Sequence, residues 1–268
     1  MLRKGDLTQG GITGTLLHFT LPMMVGSFLQ QCYNIADTLI VGQCIGAGAL
    51  AAVGSAYTLM VFLISVLLGL AMGSGTVFSL HYGAGNHVAL RRSIFSSFVL
   101  IGIVTLILNV AVFIWLDPIL RLLQVPQDIY GMMRSYSWII FCGIVFTFIY
   151  NFYASLLRAV GDSVTPLWFL AVSVVLNIAL DLFFILQLDW GIQGAAAATV
   201  LAQGVAALGI IIYTYRRRPE LRWHHEDMCF DRTCLKEIAS FSTLTCVQQS
   251  VMNLGILMIQ GQIGRASC

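Results

Sequence analysis

Charge is what this sequence has least of: Asp, Glu, Lys and Arg together make up 10% of 268 residues, where a soluble domain carries about 25%. Apolar residues fill 58% instead, which excludes an ordinary water-soluble globule and indicates an integral membrane protein. There is no HExxH, and Cys229, Cys234, His224 and His225 lack any standard zinc spacing, so no metal site is expected. The seven cysteines are scattered, with Cys32, Cys142 and Cys246 inside apolar runs, and read as small buried hydrophobes rather than a disulfide framework. The net charge of +2 belongs to loops, not to a nucleic-acid surface. No cleavable leader is expected, because the first apolar run outlasts a signal peptide and lacks a small-residue cleavage pattern.

What is present is a series of apolar runs of about 20 residues, the length that crosses the hydrocarbon as a helix. Spans are expected near 14–40, 49–78, 93–115, 134–157, 166–187, 193–215 and 238–262. Short connectors make consecutive spans antiparallel neighbours; the longer basic stretch 217–236 marks a boundary between a lobe over 1–216 and a further helix over 237–268. If the spans alternate, Arg3, Lys4, Arg91, Arg92, Arg158, Arg216, Arg217, Arg218, Arg222, Arg232 and Lys236 share one side, with little beyond Arg121 and Arg134 on the other. Cytoplasmic loops retain Lys and Arg, so the N-terminus is expected in the cytoplasm of a cell whose plasma membrane holds the protein.

Most acids fall in loops or at span ends, among them Asp117, Asp162, Glu226, Asp227 and Asp231; only Asp37 and Asp181 lie at membrane depth. A carboxylate there costs a few kcal/mol and usually faces a bundle interior or a wet cavity. In "LWFLAVSVVLNIALDLFFIL" the polar residues Ser173, Asn177 and Asp181 are spaced by four and share one helical face. Gln30, Asn34 and Asp37 form a similar stripe in the first span, Tyr136, Gly143, Thr147 and Asn151 in the fourth, and Thr199 with Gln203 in the sixth. Turned toward one another, these faces would line a shared interior site. Low dielectric disfavours a charged carboxylate and a second carboxylate disfavours it further, so the pair suits a proton; its oxygens equally suit sodium. Both readings give a cation-coupled device of the secondary-transporter kind. Pro22 breaks one backbone hydrogen bond of the first span and supplies a kink. The lone Asn109 reads as packing, and "MGSGT" at 72–76 reads as close helix packing rather than a nucleophile.

The stretches "QQCYNIADTLIVGQCIGAGALAAVG", "LRAVGDSVTP", "NIALDLFFI" and "GIQGAAAATVLAQ" resemble the multidrug and toxic compound extrusion (MATE) transporters over essentially the whole chain. The resemblance implies an all-α membrane protein of twelve helices in two lobes, not an enzyme and without a cofactor. Such a protein exports organic cations in exchange for sodium or protons, by alternating access. It implies that Asp37, Asn177, Asp181 and Thr199 form the ion-coupling network, that Gln30, Tyr136, Asn151 and Gln203 line the cavity, and that Pro22 is a hinge. Seven spans then amount to one lobe and the start of another, and the polypeptide is expected to need a second copy or the missing lobe to work. A lipid-linked precursor flippase of the same superfamily is the alternative, although no Arg or Lys lies inside the spans to hold pyrophosphate. A seven-helix receptor or retinal protein is disfavoured by the cytoplasmic N-terminus and by a seventh span without lysine.

Overall fold

The computed structural model describes residues 12–122, 125–222 and 232–266. Arg3, Lys4, His224, His225, Glu226, Asp227, Cys229 and Asp231, and with them part of the basic stretch 217–236, lie outside the described residues. The chain forms helices α1 (Ile12–Cys44), α2 (Ala47–Gly83), α3 (His87–Leu122), α4 (Gln127–Cys142), α5 (Ile144–Ala159), α6 (Val164–Leu182), α7 (Gly191–Arg217) and α8 (Arg232–Ala266). A π-helical turn, Phe183–Gln187, extends α6, and a 3₁₀ turn, Pro219–Leu221, follows α7. Four spans among the described residues are long and apolar enough to cross a bilayer: α2, α3, α6 with its π turn, and α7; the α4–α5 pair makes a fifth. Helices α1 and α8 have the length, at 33 and 35 residues.

Two features differ from the expected spans. The fourth is not one helix: it breaks at Gly143 and the halves meet at 46°. Gly143 sits where any Cβ would strike the Val200 side chain of α7, so the missing side chain lets α7 press into the break. Asn109 explains part of the polar balance there, donating from Nδ2 to the Phe141 carbonyl at 2.9 Å. The eighth helix begins at Arg232, earlier than the expected 237, and packs lengthwise on α2.

Tight loops turn the chain between antiparallel neighbours. Gly46, at φ 116°, occupies backbone space that side chains resist, and joins α1 to α2. Asn86 Oδ1 accepts the Ala89 N–H to start α3, and Asp162 Oδ1 accepts the Thr165 N–H to start α6, each at 3.0 Å. Asp162 is then tied to the end of α7 by Arg218, 3.5 Å away. On the opposite face Arg134 and Tyr130 of α4 clamp Asp117 of α3, with donor distances of 2.8 and 2.9 Å to Oδ1.

Lipid tails are as apolar as leucine, so close packing and interhelical hydrogen bonds must hold the bundle. The sequence supplies small residues where helices cross. Gly69 and Gly73 of α2, four apart, face Cys246 and Ser242 of α8, also four apart; a Cβ on Gly69 would come within 2.6 Å of the Cys246 Cα. Thr245 donates to the Gly69 carbonyl at 2.7 Å across the same seam. Gly75 faces Ser155 of α5, whose hydroxyl donates to the Ala71 carbonyl at 2.7 Å. The "MGSGT" run is therefore a packing element. In α7, Ala195, Ala196, Ala198 and Ala202 are buried, bringing that helix against α6, α5 and α4. Phe78, Phe98, Phe148 and Phe152 fill the centre with ring centroids 5.3 to 6.0 Å apart.

Exposed apolar residues follow helical spacing. Ile103, Leu106, Ile107, Val110 and Ile114 make one stripe on α3, Trp168, Val172 and Val175 another on α6, and Leu201, Val205, Leu208 and Ile212 a third on α7. Such stripes suit acyl chains.

Candidate functional site

Helices α1, α4, α6 and α7 bring one polar group each, or two, to a common point. Tyr33 and Asp37 lie one turn apart on α1, and Asn177 and Asp181 one turn apart on α6. Asp181 is fully buried, Asn177 is 1% exposed and Thr199 of α7 is 6% exposed. Asp37 is partly buried. The two carboxyl groups lie within hydrogen-bonding reach of each other. With its amide oriented so that nitrogen meets the carboxylate, Asn177 donates to Asp181 Oδ2 at 2.9 Å and accepts from the Thr199 N–H at 3.1 Å and hydroxyl at 3.3 Å. The opposite orientation would set two acceptors face to face. Tyr33 completes the chain, its hydroxyl 3.3 Å from Thr199 Oγ1. Since Thr199 gives its proton to Asn177, Tyr33 gives its own to Thr199.

The electrostatics are one-sided. Among the described residues, no Lys, Arg or His forms an ion pair with either acid. Tyr33 and Tyr136 both sit close enough to feel the charge of the two carboxylates. One oxygen of each, Asp37 Oδ1 and Asp181 Oδ1, is buried with no hydrogen-bond partner. Two carboxylate charges in contact away from water repel, and a buried acceptor left unpaired costs about 1–3 kcal/mol. A proton shared between them, or one small monovalent cation, removes both penalties. The donor set of carboxylate, amide and hydroxyl oxygens is hard, which suits sodium and not a soft metal. Among the described residues no cluster of three His, Cys, Asp or Glu could hold a transition metal.

The remaining residues singled out in the sequence divide between this point and others. The break at Gly143 divides the expected stripe of the fourth span: Tyr136 of α4 stays with the acids, 5% exposed, while Thr147 of α5 donates to Gln203 Oε1 of α7. Asn151 Nδ2 turns back to the Thr147 carbonyl of its own helix at 2.8 Å. On α1, Asn34 is a correction. It donates to Gln31 Oε1 at 3.1 Å, and Gln30 is exposed; Tyr33, not named from the sequence, is the residue that reaches the network. Its place four residues before Asp37 was the available sign. Pro22 lies inside α1, and the helix runs through it from Ile12 to Cys44. Immediately after Asp181 the helix widens into the π turn, a form that recurs at functional sites.

A probable multidrug resistance protein of Bacillus subtilis (strain 168), YpnP, is 36% identical over 217 residues, covering 81% of this chain and 49% of that protein. A second from the same strain, YoeA, is 32% identical over 209 residues, covering 76% and 45%. The fold matches a solved outward-facing multidrug resistance MATE family transporter of the MOP superfamily with a TM-score of 0.88 at 24% identity, over 96% of this chain and 57% of that one. The chain spans about half the length of the curated relatives it matches. With the MatE family model matching residues 22–183, more than half of its length, this chain belongs to the MatE, or multidrug and toxic compound extrusion, family.

Proposed function

We propose that this chain is the ion-binding lobe of a cation-coupled exporter, which expels organic cations in exchange for entering sodium or protons. One observation carries the reading: the carboxyl groups of Asp37 and Asp181, from helices far apart in sequence, meet in a buried place with no basic partner among the described residues. Such a pair is stable with one positive ion and strained without it. Binding that ion therefore favours whichever arrangement of α1 against α6 and α7 brings the acids together, and losing it favours one that separates them. An ion entering from outside can thus bias the alternation between two access states. The names of YpnP and YoeA, both probable multidrug resistance proteins, support efflux of varied small molecules.

In this reading Asn177 and Thr199 hold the geometry of the pair, and Tyr136, Gln30, Asn151 and Gln203 face the substrate's route. Pro22, with one helical hydrogen bond missing, is where α1 bends when Asp37 changes partner. The lobe over 1–216 works with a second lobe of which 237–268 is the first helix. It sits in the plasma membrane with its N-terminus and Arg-rich loops in the cytoplasm.

The test supplies the second half from a full-length relative and reconstitutes the protein in vesicles, measuring efflux of a cationic dye under separate sodium and proton gradients. Asp37→Asn and Asp181→Asn should each abolish gradient-driven efflux while the protein still inserts. Efflux that survives both replacements rejects the coupling role.

A further inference from the structure

Beside the acid pair, at the break between α4 and α5, lies a second polar feature. A crevice of about 20 Å³ opens between α2, α4, α5 and α7, walled by Met60, Ile144 and Val200 and carrying three polar side chains, Thr147, Thr199 and Gln203. A single water needs roughly 10–15 Å³ and two to four polar partners. The partners are present. Thr147 gives its hydroxyl proton to Gln203 Oε1, which leaves the Gln203 amide hydrogens as donors. The Thr199 hydroxyl, which accepts from Tyr33 and donates to Asn177, keeps a second lone pair.

Its position along the membrane is equally specific. Helix α7 runs toward Arg216 and Arg217 and α5 toward Arg158, so both descend to the basic end of the lobe. Gln203 lies one turn, about 6 Å, nearer that end than Thr199, and Asn151 one turn beyond Thr147. From the acids, polar groups thus step downward as far as Asn151: Asp181 and Asn177, Thr199, then the Thr147–Gln203 pair; beyond them Phe152, Leu156, Leu157 and Ile210 are buried and apolar. Elsewhere α5 and α7 meet through apolar and small residues such as Phe146 and Gly204.

We propose that this crevice is a water-binding site and that its water, through Thr199 and Asn177, is the acid pair's contact with solvent inside the lobe. The proposal rests on the reading of Asp37 and Asp181 as a protonatable, ion-binding pair. It adds that water reaches them from inside the lobe, past Thr199, separately from the face that α1 covers. The break at Gly143 is then functional: it parts α4 from α5 where Val200 enters, and a straight helix would close the gap.

The experiment uses the whole chain in lipid nanodiscs and infrared spectroscopy of the protonated-carboxyl C=O stretch. The band that vanishes in Asp37→Asn or Asp181→Asn identifies the pair; absence of any such band defeats the underlying reading and not the crevice alone. After transfer to deuterated buffer, the isotope shift of that band times the arrival of water. Thr147→Val, which keeps volume, and Gln203→Leu, which makes the crevice apolar, should each slow the shift about tenfold. Because unfolding would quicken it, slowing cannot come from a damaged fold. A band that is present yet shifts at an unchanged or faster rate in Thr147→Val, with the unfolding midpoint retained, overturns the proposal.

Discussion

At the level of single residues, Tyr33 is the tie between α1 and the interior. Its hydroxyl makes one hydrogen bond, to Thr199, so Tyr33→Phe removes that bond and little else. A bond of this kind is worth about 0.5–1.5 kcal/mol, which predicts a change of up to about tenfold in the sodium or proton concentration for half-maximal efflux. The unfolding midpoint should barely move. Asn177→Leu is expected to be harsher, because it removes both the donor to Asp181 and the acceptor for Thr199; ion-driven efflux should fall to background while Asn177→Asp retains part of it. Asp37 and Asp181 were legible in the sequence because they are the two acids that depth cannot excuse. Tyr33 was not, since an aromatic residue in an apolar helix is ordinary packing until a partner's hydroxyl is seen beside it.

Between elements, stability depends on how closely helices approach. A Cβ on Gly73 would collide with the backbone of Phe241 and Ser242, so Gly73→Ala must push α8 away from α2. Overpacking of this kind costs about 1–3 kcal/mol, read as a lower unfolding midpoint in detergent. Gly54, on the same helix with nothing within 4 Å of its added carbon, is the internal reference: Gly54→Ala should be neutral or stabilise by up to about 1 kcal/mol. The glycine-rich run in α2 announced a close crossing, but not with which helix. That partner, α8, lies about 170 residues along the chain, and no local pattern specifies such a pairing. The break at Gly143 was missed for a related reason. A single glycine inside an apolar span is compatible with a continuous helix, and only Val200 of α7 entering the gap turns it into a bend.

For the whole molecule, the exposed apolar stripes on α3, α6 and α7 have the length and composition that suit acyl chains. Ile107→Arg places a charge on the middle of one stripe, and an arginine at the centre of a span costs about 2.5–3.5 kcal/mol on insertion scales. Membrane integration measured in a translocation assay should fall accordingly, whereas Arg217→Gln at the basic end should leave it nearly unchanged. Composition and periodicity alone determined that this is a helical membrane protein, roughly where its spans lie and which acids sit at depth, because these follow from transfer energies and helical spacing read one segment at a time. Only the tertiary structure decided that the polar stripes sort into two groups, acids with Tyr33 and Tyr136 in one, Thr147 with Gln203 in the other. The reason is geometric: both halves of the broken span pack on α2, α3 and α7, but the 46° bend at Gly143 re-aims the second half, and a direction in space is not carried by spacing along the chain.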